Sequence, residues 1–415
     1  MTVLRFLTAG ESHGPTLTGI IEGMPAQLEL TADDINKDLA RRQQGYGRGG
    51  RMAIETDQVQ ILGGVRHGKT LGSPICLAIG NRDWENWQSE MAAEPQVQLK
   101  GPGELAVTRP RPGHGDLAGM LKYRTKDARN ILERASARET AMRVAIGAVC
   151  RRLLAHFGIS IFSHVVQIQN VAVPKLELPL HEVQSRAETS PLRSIHEEST
   201  AKMIAAIDDA RANGDSLGGI FEIIVDQVPV GLGSHVHWER RLDGRLAQAL
   251  MSVPAVKAVE IGLGRESGTK VGSEVHDEIF YTSSSGRDGL LWQGKYWPTA
   301  GGFYRKTNRA GGIEGGITNG SPIVLTVTMK PIPTLYKPLA SVDVETLKPI
   351  EAGIERSDIC AVPAASIVGE AVVAWVLAAS FLEKFGGDSL GEIESRFKDH
   401  LHSLCPETSR EDDRL

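Results

Sequence analysis

Two histidines stand in short glycine-rich motifs, Gly10-Glu11-Ser12-His13-Gly14 and Arg111-Pro112-Gly113-His114-Gly115-Asp116, and arginines crowd around both. Arg41, Arg42, Arg48 and Arg51 follow the first motif, while Arg109, Arg111, Arg124, Arg129, Arg134 and Arg138 surround the second. A guanidinium is a planar fork of donors that stays charged at any working pH and meets phosphate oxygens two at a time. The chain as a whole carries a formal net charge of -5, so these are local concentrations of positive charge. A phosphorylated small molecule is the simplest partner. A solvated basic face is the alternative for either cluster alone, but two clusters, each beside a loop histidine, weigh against it. Glycine and proline around both histidines put them on loops, where binding and catalytic groups concentrate.

Other motifs carry less chemistry. Gly45-Tyr46-Gly47-Arg48-Gly49-Gly50 has the GxGxxG form, yet it follows a predicted helix, whereas a dinucleotide fingerprint needs a strand before it and a helix after it. Gly214-Asp215-Ser216-Leu217-Gly218-Gly219 has the look of a serine nucleophile loop, and Ser12 adjoins His13. Adjacent side chains in an extended loop diverge, which argues against a nucleophile and base pair at Ser12 and His13. Thr307 to Gly320 contains five glycines, which suits either close approach of backbone amides to a ligand or a purely structural loop. Aromatic residues make up only 5% of the chain and few interleave with the basic clusters, against stacking on single-stranded nucleic acid. The acidic balance speaks against duplex binding.

The elements that must position these loops mix helix and strand. Thr31 followed by Asp33 and Asp34 opens a helix expected to end near Gln43. Ala141, Val144, Ala145, Ala148, Val149 and Leu153 recur at helical spacing within Ser136 to Phe157, and Gly158 is placed as a stop. Further helices are expected near 200–213, 236–252 and 364–385. Strands are expected over Val3–Thr8, Thr16–Ile21, Val59–Leu62, Ile159–Gln169, Ile220–Asp226, Lys257–Ile261 and Ile323–Met329. The pattern is α+β with mostly antiparallel sheets.

A chain of 415 residues, 41% of them hydrophobic, can bury a large core. At roughly 100 to 200 residues per domain it could divide, but no linker marks a cut. A single domain over 1–405 is expected, with a frayed tail from Pro406 to Leu415. Cys76, Cys150, Cys360 and Cys405 lie far apart without metal-ligand spacing, so no metal site is expected and reduced thiols of a cytosolic or organelle-matrix protein are. Met1 to Phe6 lacks the apolar core of a signal peptide. The apolar run Ala371 to Leu382, bounded by Glu370 and Glu383, is too short for a bilayer and reads as a buried helix.

Taken in order, GESHG at 10–14, ARRQQGYGRGGRM at 40–52, RPGHGD at 111–116, RASARETAMR at 134–143, GDSLGG at 214–219, TNRAGGIEGGITNG at 307–320, MKPIPTL at 329–335 and RSDICAVPAA at 356–365 resemble the chorismate synthase family along nearly the whole chain. The resemblance implies conversion of 5-enolpyruvylshikimate 3-phosphate to chorismate by a 1,4-anti elimination, using reduced FMN (FMNH2) without net redox change. The cofactor would supply the difficult chemistry and the protein binding, orientation and charge. It also implies a β-α-β sandwich, with helices between antiparallel sheets, assembled as a homotetramer in the cytoplasm, or in the plastid stroma for a processed organellar form.

Carried over motif by motif, His13 would be the acid for the leaving phosphate, a task suited to imidazole. His114 would serve the pyrimidine end of reduced flavin, and Asp358 would relay the proton taken from the substrate. Ser12, Arg42, Arg48, Arg51, Arg111 and Arg134 would grip the substrate. Arg134, Ala135, Ser136, Ala255, Gly315, Lys330, Pro331, Ile332, Pro333, Thr334 and Arg356 would hold FMN. Some relatives reduce their own flavin with NADPH; no reductase module is evident here, so reduced flavin is expected from elsewhere, with Arg42 and Arg48 as the contacts if NADPH is the source. The sequence departs from the family pattern at Gly115, at Ser357 and in a long segment from Tyr281 to Gly302 containing Trp292 and Trp297.

Overall fold

A computed structural model describes residues 4–49, 56–95, 106–281, 302–355 and 357–404. Arg51, Arg356, the interior of the long segment with Trp292 and Trp297, and the tail from Pro406 lie outside the described residues.

Strands β1 (Arg5–Ala9), β2 (Thr16–Glu22), β3 (Val59–Gly63) and, past a small hairpin of β4 (Val65–Arg66) and β5 (Lys69–Thr70), β6 (Ile75–Gly80) make one sheet in the order β1-β2-β6-β3. A second sheet begins with β7 (Ser160–Ile168), β8 (Val171–Ala172), β9 (Gly219–Asp226) and β10 (Val256–Ile261). Two ribbons follow, β11 (Ile279–Tyr281) with β12 (Phe303–Arg305) and β13 (Ile313–Glu314) with β14 (Ile317–Thr318). Strand β15 (Ile323–Met329) then completes the order β10-β15-β9-β7-β8, and β16 (Ala340–Val342) pairs with β17 (Pro349–Glu351). Pairing in both sheets is antiparallel throughout.

The helices are α1 (Ala32–Gln43), α2 (Asp116–Tyr123), α3 (Arg129–Ala135), α4 (Thr140–His156), α5 (Leu180–Thr189), α6 (Glu197–Ala212), α7 (Leu242–Met251), α8 (Gly272–Val275), α9 (Val362–Phe385) and α10 (Leu390–Ser403). Helix α1 starts where the sequence says: Thr31 and Asp34 exchange side-chain and backbone bonds in a capping box. Helix α4 stops at Gly158, which takes φ +80°, a left-handed conformation that favours glycine.

Helices α4 and α9 lie between the two sheets, and three glycines let the layers close. A Cβ at Gly19 of β2 would sit 2.6 Å from Met142 Sδ on α4. One at Gly147 of α4 would sit 2.5 Å from Ala371 Cα on α9, and one at Gly369 of α9 would sit 2.7 Å from Ile223 Cδ1 on β9. Sheet, helix pair and sheet are thus stacked at glycine contacts, and the expected α+β sandwich is the fold. Side chains from all these layers form one contiguous apolar core.

Helix α9 matches the helix expected near 364–385, and Glu370, which bounds the apolar run, sits inside it fully buried. A buried carboxylate without partners would be several kcal/mol unfavourable. Glu370 instead accepts from Arg41 at 2.9 and 3.1 Å, Arg193 at 3.3 Å and Ser163 at 2.6 Å, and it also pairs with Arg151. By length and composition α9 could cross a bilayer, but 94% of its most apolar 18-residue window is buried in the protein.

Local differences from expectation have local causes. Strand β6, Ile-Cys-Leu-Ala-Ile-Gly, is nearly uniform in apolarity and shows no alternation to read. The helix expected over 236–252 begins only at Leu242, because the preceding residues form a separate 3-10 turn, Trp238–Arg240. The chain from Ser136 first makes a 3-10 turn, Ala137–Glu139, capped by Ser136, before α4 begins.

Candidate active site

Loops from both sides of the sandwich converge on one cavity of about 390 Å³. The β1–β2 loop carries Ser12 and His13 to its wall. This loop depends on Gly10, at φ +104°, where a Cβ would fall 2.4 Å from Thr16 O. Asn81 holds its far end through Gly14 O at 2.9 Å and Pro15 O at 3.0 Å.

His13 is fixed by Glu133 at the end of α3. Its Nδ1 lies 2.9 and 3.0 Å from the two carboxylate oxygens, and its backbone N–H donates to the same carboxylate at 2.8 Å. Burial pushes the Glu133 carboxyl up, but hydrogen bonds and charge from His13, with the charge of Arg129, outweigh it and hold the group below the ordinary carboxylate range. His114 is fixed locally. Its Nδ1 lies 2.5 Å from Asp116 Oδ1, and Asp116 also accepts from the Arg111 backbone at 3.1 Å and Nε at 2.9 Å. Asp116 is the first residue of α2, so the helix dipole also favours its negative form. Burial again pushes upward, and the bonds from His114 and Arg111 hold this carboxyl far below its usual range.

The glycine loop after α1 brings Arg42 and Arg48 to the wall. It docks on the 357–360 segment: Gly47 O accepts from Ile359 at 2.8 Å, and Gly49 N–H donates to Asp358 at 2.7 Å. Arg48 pairs with the other Asp358 oxygen at 2.9 Å. Arg42 is buried and bonds to Thr140 at 3.2 Å, Asp57 at 3.4 Å and the Ala137 carbonyl at 3.0 Å. Burial pulls its guanidinium down to about 10, with Arg48 and Arg138 adding to the effect, so it stays charged at neutral pH. Arg138 joins it on Asp57.

The floor is made by the loop after β15. Lys330 N–H donates to the Ala255 carbonyl at 2.9 Å, and its Nζ donates to the Gly113 carbonyl. Thr334 accepts from Arg111 at 3.0 Å. Ala255 adopts φ +68°, a strained conformation for a residue with a Cβ, and strain of this kind clusters at functional sites. Ser216 is buried and donates to Ile332 O at 2.6 Å, and a Cβ at Gly218 would lie 2.4 Å from Met329 O. The GDSLGG loop is therefore a brace under this floor, not a nucleophile.

The lining sets five basic side chains, Arg42, Arg48, Arg111, Arg138 and Lys330, against two carboxylates, Glu355 and Asp358. An apolar wall of Leu132, Val253, Met329, Ile332, Ala364 and Val368 faces the same space. The first turn of α9, with Ala361 and Ala364 on the wall, adds the positive end of a long helix. Arg48 Nε is buried with no hydrogen-bond partner among the described residues, a donor that a bound anion would satisfy. Such a cavity can hold a planar apolar ring system next to phosphate and carboxylate groups.

The family model for chorismate synthase matches residues 4–382. A chorismate synthase of Brevibacillus brevis is 55% identical over 397 residues, covering 96% of this chain and 98% of its own. One of Geobacter metallireducens is 55% identical over 402 residues, covering 97% and 99%. A crystal structure of chorismate synthase superposes with a TM-score of 0.75 at 44% identity, covering 97% of this chain and 98% of that one. The chain belongs to the chorismate synthase family. Its reaction is the family's: phosphate is eliminated from 5-enolpyruvylshikimate 3-phosphate to give chorismate, the last step of the shikimate pathway and a carbon–oxygen lyase reaction. The family uses reduced flavin.

Against that reaction, most of the residues singled out in the sequence meet at the cavity: Ser12, His13, Arg42, Arg48, Arg111, His114, Ala135, Ser136, Ala255, Lys330, Ile332, Pro333, Thr334 and Asp358. Among the described residues, three do not line it, and Arg51 and Arg356 lie outside the described residues. Arg134 turns to the Thr8 and Gly10 carbonyls at 2.9 and 3.0 Å, bracing the His13 loop instead. Pro331 is absent from the lining, and Gly315 forms the open turn between β13 and β14. The neighbouring glycines Gly311 and Gly312 pack against the backbones of Gly262 and Pro322, which makes the run after Thr307 a structural loop where it is packed. Sequence reasoning missed Glu133 and Asp57. Both are single carboxylates without a motif of their own.

Proposed function

We propose that the cavity binds reduced FMN and 5-enolpyruvylshikimate 3-phosphate together, with His13, His114 and Asp358 as its catalytic groups. Reduced FMN, when bound, would lend electron density for phosphate departure and recover it with the C6 hydrogen, leaving no net redox change. His13 donates a proton to the leaving phosphate, His114 holds a proton at the pyrimidine end of the flavin, and Asp358 takes a proton from its N5 side. Arg48, Arg111 and Arg42, with Ser12, grip the anionic substrate, and Arg51 joins them. The main-chain turn at Ala255, the Lys330–Thr334 loop, Ala135 and Ser136 cradle the flavin, with Arg356, Arg134 and Gly315 completing its binding. The convergence of both histidines and Asp358 on one cationic, half-apolar cavity carries this reading.

Asp57, Thr140 and Ala137 each take one bond from Arg42 and hold its guanidinium at the cavity wall, where its remaining N–H groups can meet an anion. The sequence carries no evident reductase module, and we take reduced flavin to come from a separate reductase. The outer face of the first sheet exposes Leu7 on β1 opposite Ile20 on β2, with Leu62 on β3, at 76%, 44% and 62% exposure. An apolar sheet face of this kind supports assembly with further copies as a homotetramer. Free Cys76, Cys150 and Cys360 support a reducing, cytoplasmic location. The test is anaerobic incubation of the protein with substrate and chemically reduced FMN. Chorismate should form with reduced FMN and not with oxidised FMN; turnover indifferent to flavin reduction would reject the reading.

A further inference from the structure

The segment from Asn81 to Met91 belongs to none of the motifs, yet it reaches the His13 loop. Asp83 accepts from Trp87 Nε1 at 3.0 Å and from Asn86 at 2.7 Å, and Asn81 ties the segment to Gly14 and Pro15. These bonds set the Trp87 ring against His13, with centroids 3.9 Å apart and planes tilted by 33°. The Arg129 guanidinium lies over the Trp87 ring at 5.2 Å and donates to Glu133 at 3.0 Å. Glu133 closes the circle on His13 Nδ1 and on the His13 backbone.

We propose that Glu133 and Trp87 are positioning residues for His13, which with Arg129 form a cage that fixes the imidazole plane and assigns its exchangeable proton to Nε2. The proposal rests on His13 acting as an acid in the reaction. A carboxylate that accepts from Nδ1 keeps a proton on that nitrogen whether the ring is charged or neutral, so the proton given up and regained belongs to Nε2. The indole blocks rotation about the Cβ–ring bond, because a turned ring would lose both the stack and the carboxylate. Arg129 holds Glu133 and Trp87 at once, so the cage cannot loosen at one member alone. Three separate stretches of sequence meet here: residue 13 and residue 87 on two loops, and residues 129 and 133 one turn apart on α3.

The test is a double-mutant cycle on the full-length protein with substrate and reduced FMN. Glu133→Gln should lower kcat roughly 10- to 100-fold, the usual effect of removing a partner behind a functional histidine, with KM changed far less. Trp87→Phe, which keeps a ring but loses the Asp83 bond, should lower kcat by a smaller factor. Neither change should slow His13→Ala further. If Glu133→Gln slows His13→Ala by the same factor as it slows the parent, the carboxylate acts elsewhere and the proposal is overturned. A His13→Ala enzyme at parental kcat would instead reject the acid role itself, and the proposal with it. Should Glu133→Gln fail to fold, 15N-histidine NMR of the parent decides: the signal that His13→Ala removes must carry its neutral-state proton on Nδ1, and finding it on Nε2 overturns the proposal.

Discussion

The two histidine loops solve one problem over different lengths of chain. His114 takes its carboxylate from Asp116, two residues on, and Arg111 bonds to the same group, so the motif is closed within six residues. His13 takes its carboxylate from Glu133, 120 residues away, and its ring is covered by Trp87 from a third segment. In both, a nearly inaccessible carboxylate accepts from Nδ1 and from a backbone N–H and pairs with an arginine. The first dyad can be read in the motif RPGHGD. The second exists only after α3 has packed beside the β1–β2 loop. A local dyad stands or falls with its own turn, whereas the distant one also depends on every contact that holds α3 and the Trp87 segment in place.

The comparison breaks most directly at the histidines themselves. His13→Ala and His114→Ala should each lower kcat by roughly 10²- to 10⁴-fold, the range for a positioned acid or base, as measured by anaerobic chorismate formation. Rates within a few-fold of the parent in either variant would remove that loop from the chemistry. Asp116→Ala should then destabilise the fold by about 3 kcal/mol, since it removes the main carboxylate partner of the buried Arg111 guanidinium, leaving it Thr334 and a longer pair with Glu355, and removes the partner of His114 as well. Urea unfolding would measure it, and an effect under 1 kcal/mol would mean that Thr334 and Glu355 suffice for Arg111.

Acid should separate the loops. Both carboxylates are held below their ordinary values of 4.5 for Glu133 and 3.8 for Asp116. A depressed folded pKa gives stability that is complete above the unfolded value and is lost as pH falls through the folded one. Asp116 is the more strongly depressed, so the His13 loop should open first as pH drops from about 5 to 2. Peptic cleavage mapped across that range would find the reverse order if the distant dyad were the tighter. The loop glycines differ in the same sense, and the smallest effect lies at Gly113. Gly10→Ala must push its new Cβ off the Thr16 carbonyl, 2.4 Å away, and moves backbone. Gly113→Ala, at φ +80° with its nearest neighbours at 3.5 Å, meets only the left-handed penalty of about 1 kcal/mol. Equal thermal shifts for the two would contradict this ordering.

The limits of sequence reading follow the same division. The helices at α1 and α4 and the alternating strands β2, β9 and β15 are legible because capping and periodicity act within a few residues. Helices α2 and α3 carry Asp116 and Glu133 but are short, and their few apolar side chains meet only a small satellite cluster. Asp57 has no neighbouring motif, yet it is what holds Arg42 and Arg138 side by side at the cavity wall. Arg134 stands in a motif and is spent on carbonyls of the His13 loop.

By itself the sequence determined which groups exist: two local clusters of arginine, two loop histidines, an acid at 358 and enough ordered motifs to point to one family. The tertiary structure alone decided which carboxylate neutralises which cation, which arginines reach the cavity and what holds His13 still. Those choices depend on distance and burial, because a charge is strong only where water is excluded and its partner is within hydrogen-bond reach. Neither condition is written in the spacing of residues along the chain.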